Sequence, residues 1–124
     1  MADDHPELVT VFEKFIAAWN EPDAAHRRRL LDETCDPGIE ISSPFREYRG
    51  VDQQFEEISH FQKQFPRGRC LSRVVSRHHR ALLQAWRTEF GEARAPLTGI
   101  DCIQFNDAGL IVRVVSFSPV NAPS

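Results

Sequence analysis

Near the start of the chain, apolar side chains recur at the spacing of an amphipathic helix. From Glu7 to Asn20 they follow one another at intervals of three and four, which places them along one helical stripe. Pro6 suits the first helical turn, because its missing N–H would be unpaired there anyway. Pro22 ends this pattern, and Asp23 can cap a second helix that runs to about Thr34.

The next part of the chain predicts a turn, a short strand and a third helix. Residues 36–38 (DPG) are typical of a turn, and residues 39–43 alternate as a short strand that Pro44 ends. From Val51 to Phe65 the apolar side chains again lie on one stripe, which predicts a helix that Pro66 closes.

The remaining residues predict four strands, at 70–79, 81–90, 97–105 and 110–117, and the turn at 106–109 makes the last two a hairpin. Three helices, a short strand and a four-strand meander are typical of an α+β fold, with the helices packed on one face of an antiparallel sheet. Such helices on a strongly curved sheet tend to leave a cavity between the layers, and small ligands bind in cavities of this kind. We therefore predict one domain over residues 1–124, with a ligand cavity inside.

Composition agrees with a single globular domain. The 124 residues are 41% hydrophobic and 27% charged, with a net charge of −3, which excludes a disordered chain. No apolar run approaches the ~20 residues that span a bilayer, and the polar, acidic start lacks the apolar stretch of a secretory signal. The three cysteines are far apart and have neither disulfide nor metal-site spacing. We therefore expect a cytoplasmic protein with no cofactor, no metal and no membrane partner.

Asp101 is the residue with the strongest case for chemistry. It lies in the otherwise apolar strand at 97–105, where a carboxylate is costly unless it is hydrogen-bonded, protonated or at a wet edge. If Asp101 lines an apolar pocket, desolvation raises its pKa and makes it a candidate acid or hydrogen-bond donor. If it points outward, to solvent or to a second subunit, it has no catalytic role. The sequence leaves both possibilities open.

The strand at 81–90 carries a second group of candidates. Arg87 and Glu89 share one of its faces, and Trp86 and Thr88 share the other. Both faces mix apolar and polar residues, so the alternation does not decide which one lines the cavity. Arg87 and Glu89 form either an electrostatic pair beside Asp101 or, as we favour, a surface pair that adds little stability.

Neither the histidines nor the basic residues indicate a metal or a nucleic-acid site. The five histidines lack metal-ligand spacing, and His60 on the third helix is either solvated or overhangs the pocket. Between Glu57 and Glu89 the chain has no acidic residue and several arginines, which could attract an anionic ligand or a nucleic acid. Because the whole chain is acidic and this segment lacks interleaved aromatic residues, we expect no nucleic-acid partner.

Two stretches resemble the nuclear transport factor 2-like superfamily. Residues 12–20 (FEKFIAAWN) resemble its opening helix, and residues 99–111 (GIDCIQFNDAGLI) resemble its closing hairpin. The order of elements agrees over nearly the whole chain, and the SnoaL-like polyketide cyclase branch is the most similar. This resemblance implies a cone of curved sheet wrapped by three helices, an apolar pocket open at one end, and a homodimer formed through the sheet.

The resemblance transfers catalytic residues only in part. Asp101 falls where ketosteroid isomerases carry the protonated aspartate of their oxyanion hole. The tyrosine partner of that hole would fall at Phe15, which cannot donate a hydrogen bond, and the catalytic base would fall at Ser43. The segment around Arg87 is similar to the Arg-x-carboxylate motif of the epoxide-hydrolase branch, whose last-strand carboxylate would fall near Ser116.

Three functions are therefore compatible with the sequence. The first is an enzyme that acts on a small, largely apolar carbonyl or polyketide-like compound, with Asp101 as the acid–base group. The second is a non-catalytic module that holds a small hydrophobic molecule among aromatic side chains, and the third is a dimeric scaffold with a closed pocket. The candidate ligand contacts are Phe15, Trp19, Ser43, Phe61, Trp86, Arg87 and Ser116.

Overall fold

Residues 5–120, which the computed structural model describes, form three helices and six strands. In chain order they are α1 (Glu7–Asn20), α2 (Ala24–Thr34), β1 (Cys35–Ser42), β2 (Glu47–Arg49), α3 (Val51–Gln64), β3 (Arg69–His78), β4 (Ala81–Glu89), β5 (Leu97–Phe105) and β6 (Ile111–Phe117). Within this range no helix combines the length and the apolar character needed to cross a membrane.

The six strands form one sheet in the order β2-β1-β6-β5-β4-β3. β1 and β6 are parallel, and every other neighbouring pair is antiparallel. The α+β prediction is confirmed, but the sheet is mixed rather than purely antiparallel. The reason is that β1 pairs with the last strand of the meander, which runs in the same direction as β1.

β1 begins earlier than the sequence predicts. The predicted turn at 36–38 lies inside this strand, where the register with β6 shifts between Cys35 and Glu40. Asp36 Oδ2 accepts the backbone N–H of Gly38 at 2.9 Å, so the turn chemistry makes a local irregularity in the strand rather than a boundary. The pattern also missed β2, which is only three residues long and pairs Tyr48 with Ile41.

The other predicted elements are found close to their expected positions. Asp23 Oδ2 accepts the backbone N–H of His26 at 2.8 Å, which caps α2 as predicted. β3 and β4 are joined at His79 and Arg80, and the positive φ of His79, 49°, produces a tight turn there.

The inner face of the sheet, which packs against the helices, is closed at one end. Ile39, Ile103 and Ile111 are completely buried there, and Leu82, the register partner of Ile103, is 1% exposed. Helix side chains complete this core, among them Leu8, Phe12, Leu31 and Ile58. This end has the dense packing of an ordinary hydrophobic core.

The opposite end of the inner face is accessible to solvent. Ser72 faces the same side of the sheet as its register partner Trp86, yet it is exposed. Trp86 and Thr88 are only half-buried. We call this end, where β3 and β5 begin and β4 ends, the open end.

Arg27 connects the helices that cover the sheet. It is only 6% exposed, and its Nη1 donates to the carbonyl oxygen of Glu21 at 2.8 Å and to Gln62 Oε1 at 3.0 Å. Its Nη2 donates to Ser59 Oγ at 3.0 Å. Gln62 in turn donates to the carbonyl oxygen of Trp19 at 2.8 Å, so this network holds α1, α2 and α3 together near the open end.

Candidate functional site

Asp101 lies on the inner face of β5 and is 9% exposed. Its register partners are Gln84 on β4 and Ser116 on β6, so three polar residues meet in one row of the sheet. The sequence left open whether the Asp101 side chain points into the fold or outward, and in the structure it points into the fold. The row lies between the packed core and the open end.

Neutral donors hold the Asp101 carboxylate. Trp86 Nε1 donates to Oδ1 at 2.7 Å, and Gln84 Nε2 donates to Oδ2 at 2.9 Å. The Ser116 side chain is a third hydrogen-bond partner. Within residues 5–120 no arginine, lysine or histidine forms an ion pair with Asp101, so this buried acid has no counter-ion there.

Burial raises the pKa of Asp101 above its ordinary value of 3.8, because the ionised form loses its hydration. Hydrogen bonds from Ser116, Trp86 and Gln84 act in the opposite direction and lower this pKa, but burial outweighs them. The carboxylate is therefore held in a fixed orientation and can take up a proton more readily than an exposed aspartate.

Gly99 makes room for the indole of Trp86. These two residues face each other across β4 and β5, and a Cβ added to Gly99 would overlap the Trp86 ring and the carbonyl oxygen of Phe117. Only glycine leaves the space in which the ring reaches Asp101 Oδ1.

Three polar residues of the interior were not among the sequence-based candidates. Gln84 is 2% exposed, and its Oε1 has no hydrogen-bond partner in the described part of the chain. Tyr48 donates to Oε1 of the buried Gln54 at 2.6 Å. Burial raises the pKa of Tyr48, and the charge of Asp101 adds to the effect. Gln84 could have been recognised as an amide in the apolar β4, two residues before Trp86 and on the same face.

Two candidates inferred from the resemblance, Phe15 and Ser43, have structural roles elsewhere in the fold. Phe15 is 3% exposed and belongs to the hydrophobic core. Ser43 lies in the turn between β1 and β2, where its hydroxyl oxygen accepts the N–H groups of Phe45 at 3.2 Å and Arg46 at 3.3 Å. The Ser43 side chain thus has a structural role in this turn.

Trp19 and Phe61 lie together in a group of aromatic side chains. Their ring centroids are 6.0 Å apart, and the Phe61 ring is 6.1 Å from that of Phe90. Phe65 packs on Phe90 at 4.8 Å. We call these four residues the aromatic corner; they join the ends of α1 and α3 to the open end of the sheet.

The structure corrects the inclusion of Arg87 among the ligand contacts. Arg87 pairs in register with Thr98 and therefore faces the outer side of the sheet, opposite to Asp101. Its Nε donates to Glu89 Oε2 at 3.1 Å, so the two residues form the surface pair that the sequence favoured. His60 is likewise exposed, and no three metal-ligating side chains cluster within residues 5–120.

Two open depressions lie elsewhere on the surface. One, of about 340 Å³, is formed by β1, β2 and β6 around Glu40 and Arg113. The other, of about 410 Å³, lies mainly on the outer face around Leu71, Ala85 and Ile100. Neither is lined by Asp101, so a ligand cavity at Asp101 remains a prediction.

Solved structures with the same fold support the architecture. The chain aligns with a proposed SnoaL-like isomerase from Agrobacterium tumefaciens strain C58 at a TM-score of 0.79 and 24% identity, covering 90% of this chain and 96% of that one. For a proposed SnoaL-like polyketide cyclase from Jannaschia sp. CCS1 the TM-score is 0.70 and the identity 15%, over 94% and 90% of the two chains.

A proposed ketosteroid isomerase from Kribbella flavida aligns at a TM-score of 0.73 and 14% identity, over 100% of this chain and 85% of that one. No family model and no curated protein sequence matches the chain. At these identities the likeness shows the fold alone. The predicted nuclear transport factor 2-like, cystatin-like fold is therefore confirmed.

We expect Gly99→Ala to displace the Trp86 indole and to break its hydrogen bond to Asp101. The overlap should lower the free energy of unfolding by about 1–3 kcal/mol, as overpacking usually does. Urea unfolding and the tryptophan emission spectrum measure both effects. Gly38→Ala is the matched control, because its added Cβ would lie 3.4 Å from Asp36 Oδ2, an ordinary contact. Equal stability of the two variants would contradict the packing described above.

We expect Asp101 to make the folded protein less stable as the pH rises. Because its pKa is raised in the folded state, the native protein binds this proton more tightly than the unfolded chain does. The stability contribution is complete below the ordinary value of 3.8 and is lost as the pH rises through the raised pKa.

Asp101→Asn should remove this dependence, since Gln84 can rotate its amide to accept from the asparagine. Urea unfolding of native and variant protein over the acidic to neutral range measures the difference, with the exposed Asp107→Asn as the control. An Asp101 pKa at or below 3.8 by NMR titration would refute the expected direction.

Proposed function

We propose that this chain binds a small, largely apolar carbonyl compound on the inner face of its sheet and transfers a proton with Asp101. The observation that carries this proposal is a 9% exposed carboxylate, held only by neutral donors. A buried charge without a counter-ion is costly, so the site gains stability when the carboxylate accepts a proton or a ligand donor.

The hydrogen bonds favour Asp101 as a base rather than as a permanently protonated acid. The Trp86 N–H can only donate, so Oδ1 must act as an acceptor. A general base works best when its pKa lies near the operating pH and when it has a fixed orientation toward the proton. Burial raises the pKa of Asp101 in that direction, and hydrogen bonds from Trp86 and Gln84 fix its orientation.

The reaction class that follows is proton transfer at a carbon next to a carbonyl. Asp101 would remove the proton, the electron pair of the C–H bond would move into an enolate, and the carboxyl would become neutral. Return of the proton to another carbon completes an isomerisation. In a cyclisation the enolate attacks a second carbonyl, and the Asp101 carboxyl returns its proton to the alkoxide that forms. Both outcomes are redox-neutral.

Non-catalytic binding is the alternative, and two observations favour it. Phe15, at the position of the oxyanion-hole tyrosine, has no donor, and the Ser43 hydroxyl is engaged in its turn. Asp101 would then only orient a ligand that lies against Trp86.

Deuterium exchange tests the catalytic proposal. We expect the native protein to speed the exchange of α-protons of a panel of apolar ketones in heavy water, measured by proton NMR. Asp101→Asn should lower this rate by about 100-fold or more, the usual contribution of a positioned base.

Asp107→Asn, in the turn between β5 and β6, is the matched control and should keep the native rate. Exchange that is equally fast in Asp101→Asn would refute the role of Asp101. A native protein that binds the ketones without exchanging their protons would favour the binding module.

We also propose that two copies of the chain associate through the outer faces of their sheets. This face carries Leu71, 37% exposed, and Phe117, 57% exposed, around the depression that also contains Ile100. With a spacing of about 4.8 Å between strands and a rise of about 3.3 Å per residue, the six strands, of which β2 is very short, give a face of roughly 700 Å². That area is close to the ~800 Å² that each partner contributes to a stable interface.

Sedimentation equilibrium tests the dimer. We expect the native protein to have twice its chain mass of 14.2 kDa and Phe117→Asp to be monomeric, because the variant buries a charge in the interface. Phe45→Asp is the control, since Phe45 is 67% exposed but lies in the turn between β1 and β2. A monomeric native protein, or dissociation by both variants, would contradict this interface.

A further inference from the structure

We propose that the ligand carries an anionic group and that Arg67 and Arg94 bind this group beside the aromatic corner. The inference rests on the proposed function, because it assumes that the apolar body of the ligand lies on the inner face. It adds the chemical class of the ligand to the proposed function: an apolar molecule with a carboxylate, sulfonate or phosphate at one end.

Arg67 and Arg94 belong to two connections that meet at the open end. Arg94 places its guanidinium 4.9 Å from the centre of the Phe90 ring, and Phe90 is part of the aromatic corner. Arg67 lies close to the same connection, since a Cβ added to Gly91 would be 3.0 Å from Arg67 Cβ. Both arginines are exposed, so their guanidinium groups can reach a ligand that enters at this end.

Neither guanidinium forms an ion pair with an acid within residues 5–120. Some exposed arginines of this range form such pairs, for example Arg46 with Glu57 at 2.7 Å, whereas others, such as Arg29 on α2, do not. Of the acids near the corner, Glu89 is engaged by Arg87, and Glu92 is exposed in the same connection as Arg94. Since no acid occurs from residue 58 to residue 88, the corner has an excess of positive charge.

The inner face of β4 connects this corner to Asp101. Gln84 stands beside Asp101, Trp86 and Thr88 follow on the same face at intervals of two residues, and Phe90 comes directly after the end of the strand. The six residues from Gln84 to Phe90 span about 20 Å of extended chain. An elongated ligand, together with the arginine side chains, would have to bridge this distance.

Charge then determines the orientation of the ligand. An ionised Asp101 repels an anion in a site of low dielectric constant, whereas Arg67 and Arg94 attract it. The anionic group should therefore remain at the open end, and the neutral carbonyl end should approach Asp101. Guanidinium groups are well suited to this task, because they bind carboxylate and phosphate in a bidentate geometry.

Two fluorescent probes with nearly the same apolar body test the inference. Anilinonaphthalene sulfonate is anionic, and N-phenylnaphthylamine is neutral. We expect the anionic probe to bind the native protein more tightly, with an affinity that falls as salt is added. Arg67→Gln and Arg94→Gln should each weaken the anionic probe by about two- to fivefold, as expected for a solvent-exposed ion pair.

The neutral probe should bind both variants with native affinity, and Arg29→Gln, an exposed arginine of α2, should leave both probes unaffected. Equal affinity of the two probes for the native protein would overturn the anionic site and leave the proposed function intact. Equal weakening of both probes by the arginine variants would also overturn it, since that result indicates a structural role. If neither probe binds, the proposed function fails together with this inference.

Discussion

The hydrogen bond from the Trp86 indole to the Asp101 carboxylate is the interaction on which the candidate site depends. It holds a charged group at 9% exposure, where burial alone would favour the neutral acid. The bond exists because Gly99 leaves space for the ring, so one missing side chain determines the environment of the carboxylate. Gln84 completes the arrangement, and no opposite charge among the described residues reduces its reactivity.

The fold places this carboxylate between two regions of different packing. At the closed end, isoleucine and leucine side chains fill the space between helices and sheet, and that core supplies the stability. At the open end, Trp86 and Thr88 are half-buried and Ser72 is exposed, so the inner face is less densely packed there and reaches solvent at its edge. Arg27 joins the three helices near this end with hydrogen bonds to α3 and to the connection before α2. A ligand site requires a rigid surrounding structure and access from solvent, and the packed core and the open end are suited to these two roles.

The sequence predicted the fold better than the site. Helical spacing from Glu7 to Asn20 and alternation in β5 reflect local periodicity, which a single chain displays directly. The pairing of β1 with β6 and the direction of Arg87 depend on register between distant strands, which periodicity does not encode. Asp101 can be recognised from the sequence because burying its charge in an apolar strand is costly, whereas the neutral amide of Gln84 costs less to bury and gives a weaker signal.

A crystal structure with N-phenylnaphthylamine bound tests the central claim, that the inner face at the open end is the ligand site. The account predicts the naphthalene ring against Trp86 and the aromatic corner, with the probe's amine donating to the Asp101 carboxylate. A probe bound only on the outer face, around Leu71 and Ile100, with the inner face filled by protein side chains, would contradict it.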